Sequence, residues 1–490
     1  MAIIKVTDTD MKAVRSASDA LREYFADRSL TKNRTVTYDI RTYGCQLNES
    51  DSEKLVGMLE SIGLMRTSGP DADIIIFNTC SVRENAEDRL FGNLGEIKSL
   101  KKKDRDIIVV VCGCMMKVPE NVERIRKSFP YVDLVFDPQQ LHLFPKLLLG
   151  AIRKNKQLID ISEDDYLAED SLVPISRARK FRALVPIMYG CNNFCTYCIV
   201  PYARGRERSR QFDQIVEELQ SLADQGFKEI MLLGQNVNSY SDSDGHRFPD
   251  VLKAAAEIKG FSRVRFMSSH PKDLSDEVIE LMASYPNIEK HLHLAMQSGS
   301  DRVLSRMNRP YKIDDFMRIV DLFRSKIPDG SISTDIIVGF PGETEEDFQA
   351  TLDAVKRAKF DSAFTFQYSK RPGTVAADFP DQIDHDTVTE RFGRLLDIQN
   401  DLAYRSNLSK VGKVEEVLIE GESSTAPDIL TGRTRSNHLI NFTVNDDLKL
   451  REEDGTFSPA SKYEGKLCNV LFTSARPYSV DGVMESWIND

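Results

Sequence analysis

Between Thr35 and about Ala403, short apolar runs of strand length alternate with longer runs of helical period, and this alternation constrains the fold more than any other property of the chain. Strands that alternate with helices pair in parallel, because each crossover returns over a face of the sheet. A first block reads TVTYDIRTYG, the helical DSEKLVGMLESIG ending at Gly63, DIIIFNTC, the helical VRENAEDRLFGNLGEIKSL and DIIVVVCGC. It predicts an open parallel α/β domain over residues 34–150. LIDISEDDYLAEDSLVPISRAR, acidic and then basic with no period, reads as a linker over 151–176.

The second block, 177–408, holds six strand-like runs: ALVPIMYG, EIMLLGQN, RVRFMSSH, HLHLAMQSG, ISTDIIVGF and SAFTFQYS. They predict a partial (β/α)6 barrel with its site at the carboxyl ends of the strands. After the helical ERFGRLLDIQNDLAYR, the runs VEEVLIEG, HLINFTV and KLCNVLFTSA predict a small antiparallel β-barrel over 409–478, leaving 479–490 as a tail. Residues 1–33, helical from Met11 to Phe25, read as an extension that packs late or stays mobile, with no assigned chemistry. A chain of 490 residues exceeds one hydrophobic core, which fits this division.

No apolar run reaches membrane-spanning length and the start lacks a secretory pattern, so the expected compartment is the cytoplasm. A net charge of −11 argues against polyanion binding over the whole surface and leaves local Lys/Arg clusters as the candidates. The eight cysteines are too few and too clustered for a disulfide scaffold, which favours metal ligation.

Cys191, Cys195 and Cys198 stand in CNNFCTYC, on the loop leaving the first barrel run. Three thiolates within eight residues suit three irons of a cubane and leave the fourth iron open. Zinc is the competing reading, closed by a distant ligand such as His270 or His293. Cys45, Cys80 and the Cys112/Cys114 pair follow three separate runs of the first block. Strand ends of an open parallel sheet converge on one crevice, so these cysteines become neighbours. Spacing does not choose between Cys112 and Cys114.

CNNFCTYC has the CxxxCxxC form of the radical S-adenosylmethionine superfamily, with Tyr197 in its aromatic position. That resemblance implies S-adenosylmethionine chelated at the open iron and cleaved reductively to a 5′-deoxyadenosyl radical. TYGCQLNESDSE, NTCSVRENAEDR and CGCMMKVPE resemble the amino-terminal domain of the methylthiotransferases, whose three cysteines hold a second 4Fe–4S cluster. The matching residues are Cys45, Cys80 and Cys114, and Cys112 falls outside the pattern. Residues from about Val411 to Tyr478 resemble the RNA-gripping TRAM module.

LLGQNVNSY, SSHP and YSKRPGT resemble the branch of the family that acts on N6-dimethylallyladenosine beside the tRNA anticodon. The resemblance implies methylthiolation of carbon 2, with one S-adenosylmethionine as methyl donor and another as radical source. Its partners would be the tRNA anticodon stem-loop, an external electron donor and a sulfur source, and the enzyme a monomer without membrane attachment. Two other readings stay open: a sister methylthiotransferase acting on threonylcarbamoyl-adenosine or a ribosomal-protein aspartate, and an RNA-binding protein with structural metal clusters.

S-adenosylmethionine carries an ammonium, a carboxylate, a ribose and an adenine, so its pocket needs polar groups at several strand ends. Those positions hold Gln235, Asn236 and Asn238, then Ser269 and His270, then Gln297, Ser298 and Ser300, and finally the Gly339 backbone and Glu343. For phosphate the candidates are Arg204, Arg206, Arg208 and Arg210 just beyond Cys198, and Arg433 and Arg435 in the terminal β unit.

Overall fold

The computed structural model describes residues 3–69, 71–81, 84–167, 173–423, 426, 428–452 and 456–488. Part of NTCSVRENAEDR and the middle of the expected linker lie outside these. Strands β1 (Thr37–Thr42), β2 (Ile74–Thr79) and β3 (Ile108–Gly113) are central in a six-stranded parallel sheet. Met65–Arg66 lies on one side of them, and Leu134–Phe136 and Leu158–Asp160 lie on the other. Every residue of β2 and β3 is buried, as expected for strands covered on both faces. The period of two divides them: Ile74, Ile76 and Val110 pack with Leu55 and Leu59 of the helix Gln46–Ser61. Ile75, Phe77, Val109 and Val111 pack with Leu90, Leu94 and Ile97 of the helix Glu84–Lys103.

The boundaries of this unit differ from the sequence reading at both ends. The described part of the expected extension, residues 3–33, packs against the domain: the helix Asp8–Lys32 inserts Leu21 and Phe25 into the core beside Leu147 and Leu148, and Ile3–Lys5 pairs in parallel with Asp165–Leu167. The expected linker begins inside the sheet, because Leu158–Asp160 is its last strand. The strands Ile3–Lys5 and Leu158–Asp160 carry too few residues to show a period, and a polar helix does not announce which few apolar residues it buries.

The central barrel has six parallel strands, β4 (Arg182–Pro186), β5 (Glu229–Leu233), β6 (Arg263–Phe266), β7 (His291–His293), β8 (Ser331–Val338) and β9 (Ser362–Gln367). They pair in chain order within two three-stranded sheets. Parallel bridges Val264–Ile288 and Ser269–Leu294 join the two sheets across β6 and β7. The result is the partial barrel that the six runs predict.

Strands β10 (Val414–Glu422), β11 (Leu430–Thr434), β12 (Leu439–Thr443), β13 (Leu467–Ala475) and β14 (Val480–Trp487) close a second barrel. The expected tail is therefore the last strand, with β12 and β14 paired in parallel and Val480 and Met484 in the core. This barrel packs on the amino ends of the central strands: Arg263 donates to the Arg433 carbonyl at 2.8 Å, and Arg265 donates to Asn437 at 2.9 Å. No helix among the described residues is long and apolar enough to cross a membrane.

Candidate active site

Three of the cysteine loops, those of Cys191, Cys45 and Cys114, open on a glycine whose replacement would need a local shift. Gly190, before Cys191, has φ +75°, and a Cβ there would stand 2.1 Å from the Arg206 carbonyl oxygen. Gly44, before Cys45, has φ +126°, and its Cβ would stand 2.3 Å from Cys80 Cβ. Gly113, before Cys114, has φ +101°, and its Cβ would stand 2.2 Å from the Thr79 carbonyl oxygen. In the second triad these close approaches bring together cysteines from three different strand ends.

The Cys191 loop is held from several sides. Cys191 N–H donates to the Gly205 carbonyl at 3.2 Å, Thr196 N–H to Met307 at 3.0 Å, and Cys198 N–H to Cys195 at 2.9 Å. Asn308 Nδ2 donates to the carbonyls of Asn193 and Phe194 at 3.0 and 3.1 Å. Burial pushes the Cys191 thiol up to about 11 and that of Cys198 to about 12, and the proximity of Cys195 adds to both shifts. Arg309, which sequence reasoning passed over, lies buried beside them, with Nη1 3.8 Å from Cys195 Sγ and 3.2 Å from Tyr197 Oη. A cation at that place favours thiolate ligands, and Tyr197 helps to position it.

Past β5 and β6 there is a group of buried polar atoms without hydrogen-bond partners: Gln235 Oε1, Asn236 Oδ1, both amide atoms of Asn238, Ser269 Oγ and His270 Nε2. Each such atom costs about 1–3 kcal/mol when left unpaired, so together they mark a site made for a polar ligand. Burial, with Arg309 and Lys272 adding to it, lowers His270 to about 2 and keeps its ring neutral.

The later strand ends are different. Ser300 Oγ caps the helix Asp301–Arg306 and donates to Asp347 at 2.6 Å, while Ser298 Oγ accepts from Ser300 N–H at 3.2 Å. Gly339 N–H donates to Glu343 at 3.1 Å, and Glu343 is paired with Arg391 at 3.0 Å. Ser298, Ser300 and the Gly339 amide are thus engaged within the fold. Gln297 is buried with φ +67°, and its backbone links Asp335 and Ile337.

In the second triad the Cys80 thiol hydrogen-bonds Cys45 and, with Arg204 nearby, lowers Cys45 to about 6. Burial raises the Cys114 thiol to about 11 against the pull of Arg204, and the nearby Cys45 adds to the rise. Cys112 lies on β3 opposite Asn78 in the apolar core, where burial raises its thiol well above the usual range. Cys45, Cys80 and Cys114 are thus brought together from three strand ends, and Cys112 lies apart from them within the core. Among the described residues no three His, Cys, Asp or Glu side chains converge on a single-ion geometry. The distant zinc ligands considered above have other roles: His293 bonds Ser333 and Asp335, and His270 Nδ1 accepts from Lys272 N–H.

Most of the arginines expected at phosphate are internal. Arg204 is 5% exposed, with Nε donating to Cys114 Sγ at 2.8 Å. Arg208 donates to Gln139 at 3.0 Å, and Arg210 pairs with Glu218 at 2.8 Å. Arg433 and Arg435 pair with Glu420 and Glu416, at 3.5 and 3.0 Å, where the two barrels meet. Arg206 alone of this set is exposed, its guanidinium 4.3 Å from the Phe194 ring centre. Exposed Tyr202 meets the same ring edge to face.

A partial barrel with a CxxxCxxC loop after its first strand defines a radical S-adenosylmethionine enzyme, and the Radical SAM superfamily model matches residues 185–355. The model of the uncharacterized protein family UPF0004 matches residues 37–137. The chain belongs to the family of tRNA-2-methylthio-N(6)-dimethylallyladenosine synthases. The relative from Acetivibrio thermocellus is 45% identical over 98% of this chain and 97% of its own. That from Caldicellulosiruptor saccharolyticus is 48% identical over 88% and 92%, and that from Alkaliphilus oremlandii 46% identical over 96% of each. Among solved structures, a radical S-adenosylmethionine methyltransferase from Kitasatospora setae covers 70% of this chain and 74% of its own at 15% identity, with a TM-score of 0.49.

Proposed function

We propose that this chain converts N6-dimethylallyladenosine beside the tRNA anticodon into its 2-methylthio derivative. The observation that carries the reading is the second thiol triad, which lies against the loop that follows the first through the contact of Arg204 with Cys114. Relatives that bear this activity in their names match almost the whole chain. In this reading Cys191, Cys195 and Cys198 hold one 4Fe–4S cluster and Cys45, Cys80 and Cys114 hold a second, each leaving one iron without a thiolate. When bound, the clusters and S-adenosylmethionine supply the radical, the methyl group and an iron that carries sulfur.

The chain's own residues bind and orient. Gln235, Asn236, Asn238, Ser269 and His270 offer neutral donors and acceptors to the polar groups of S-adenosylmethionine, and the buried neutral ring of His270 adds no charge beside its ammonium. Arg206, Phe194 and Tyr202 offer a cationic and aromatic surface at the cluster mouth, suited to stacking an unpaired loop base. The terminal β-barrel fits a TRAM-like role on the RNA backbone. The reading also calls for an external electron donor and a sulfur source, and for work as a monomer in the cytoplasm.

The test is nucleoside mass spectrometry of tRNA from a strain lacking the gene. The expected result is loss of the 2-methylthio nucleoside, accumulation of dimethylallyladenosine, and restoration by the intact gene. Retention of that mark, with loss of a methylthio group from threonylcarbamoyl-adenosine or from a ribosomal protein, would reassign the substrate.

A further inference from the structure

Arg204 follows the short helix Val200–Ala203, six residues past Cys198, yet its side chain reaches into the amino-terminal domain. Nε donates to Cys114 Sγ at 2.8 Å, Nη2 donates to Asn48 Oδ1 at 2.6 Å, and Nη1 pairs with Asp51 Oδ2 at 2.7 Å. Its backbone is fixed as well, since its carbonyl accepts from Gln139 at 2.8 Å and from Arg208 at 3.0 Å. Asn48 is fully buried and is itself held, donating to the Tyr43 carbonyl at 3.0 Å and accepting from Asn78 at 2.8 Å. Only a planar fork can reach a sulfur, an amide and a carboxylate at once, so lysine cannot reproduce the arrangement.

A guanidinium held this deeply needs negative charge around it, and here the charge comes from Asp51 and the thiolates. A hydrogen bond and a positive charge on a ligating sulfur favour the reduced, more negative form of an iron–sulfur cluster and so raise its potential. Asp51, on the far side of the same guanidinium, acts in the opposite sense. We propose that Arg204 is a positioning residue that orients Cys114 and raises the reduction potential of the second cluster, with Asp51 as the opposing charge. This rests on the reading of Cys114 as a cluster ligand.

The test uses the full chain with Cys191, Cys195 and Cys198 replaced by Ala, so that only the second triad takes up iron. After anaerobic reconstitution with iron and sulfide, iron is counted and the potential is read by an EPR-monitored redox titration. The parent should hold about four irons. Arg204→Met should move the potential down by a tenfold change in the reduced-to-oxidised ratio at fixed poise, about 59 mV for one electron. Arg204→Lys should fall between the two, and Asp51→Asn should move it up. A role in folding alone would not give shifts of opposite sign. If Arg204→Met takes up no iron, Asp51→Asn decides, because it leaves the guanidinium on the sulfur. Unchanged potentials in iron-loaded variants overturn the inference and leave the cluster reading intact, whereas a parent without iron overturns the cluster reading itself.

Discussion

Alanine at Gly113 should remove the second cluster and leave the first. Gly113 has φ +101° and ψ −176°, a region essentially reserved for glycine. A Cβ there would meet Thr79 O at 2.2 Å, Asn78 Oδ1 at 2.5 Å and Thr79 N at 2.6 Å. Two of these atoms are backbone of β2, which is paired on both sides within the sheet and cannot retreat alone. The backbone conformation costs about 1–3 kcal/mol and the overlap about as much again, or roughly 2–6 kcal/mol together. That is comparable with the whole stability of many domains, about 5–15 kcal/mol. The easiest relief is a shift of the peptide that carries Cys114, away from Cys45 and Cys80. Gly226 is the control: its φ is +87° but nothing lies within 4 Å of its Cβ position, so alanine there meets only the backbone cost, about 1–2 kcal/mol. After anaerobic reconstitution Gly113→Ala should hold about four irons and Gly226→Ala about eight, with a clearly lower guanidinium midpoint for Gly113→Ala. Matching iron contents and midpoints in the two variants would refute the steric argument.

Arg263, fully buried between Glu289 and Glu416 at 3.3 Å from each, should cost about 1–3 kcal/mol when changed to Met, because each carboxylate loses one of its two arginines and keeps only Arg265 or Arg435. Limited proteolysis between Leu408 and Val414 should then speed up, and an unchanged rate would show that the two barrels do not depend on this network. Arg206→Ala and Tyr202→Ala should each weaken binding of the anticodon stem-loop by about 1–3 kcal/mol, and the arginine change should also reduce the salt dependence by about one ion. Equal affinity in a salt titration would remove this surface from the RNA path. Burial, with Lys410 adding to it, lowers His438 to about 4, so below pH 6.5 the unfolded chain takes up a proton that the folded one refuses. Stability should fall by roughly 1.4 kcal/mol per pH unit from 6.5 to about 4, and His438→Gln should flatten that slope in denaturant titrations. Identical slopes would count against it.

The Gly-Cys pairs at Gly44, Gly113 and Gly190 stand in the sequence as YGC, CGC and YGC, and Cys114 shares this pattern with Cys45 and Cys191 whereas Cys80, after Thr79, does not. Strand order was legible because parallel pairing follows chain order in the central barrel. What was not legible is burial of charge. Nothing in the polar composition of QLNESDSEK announces burial, yet Asn48, Ser50, Asp51, Ser52, Glu53 and Lys54 are all buried. Leu47 of the same turn packs with Leu184, Met231 and Leu233, so this polar face is the seam between the first domain and the central barrel. Arginines that the sequence offers as a phosphate surface belong to the same class of hidden charge, because a composition cannot say which carboxylates fold against them. Val480 was missed for a different reason, since its parallel partner Ile440 lies on the far side of β13 in the chain and no local pattern announces the pairing.

Hidden charge also bears on how RNA could be read. With Arg204, Arg208 and Arg210 turned inward and Arg433 and Arg435 paired with Glu420 and Glu416 within the terminal barrel, Arg206 beside its aromatic neighbours is the member of this set exposed at the strand-end mouth. The terminal barrel sits at the opposite, amino ends of the central strands, and β8, with eight residues, sets that separation at roughly 25 Å. An RNA that touches both must therefore lie along the flank of the central barrel, its stem toward the terminal barrel and one unpaired base at the cysteine loop. Such a division lets the far contacts fix position while the mouth selects by stacking and shape, which suits a net charge of −11 better than a broad electrostatic grip would.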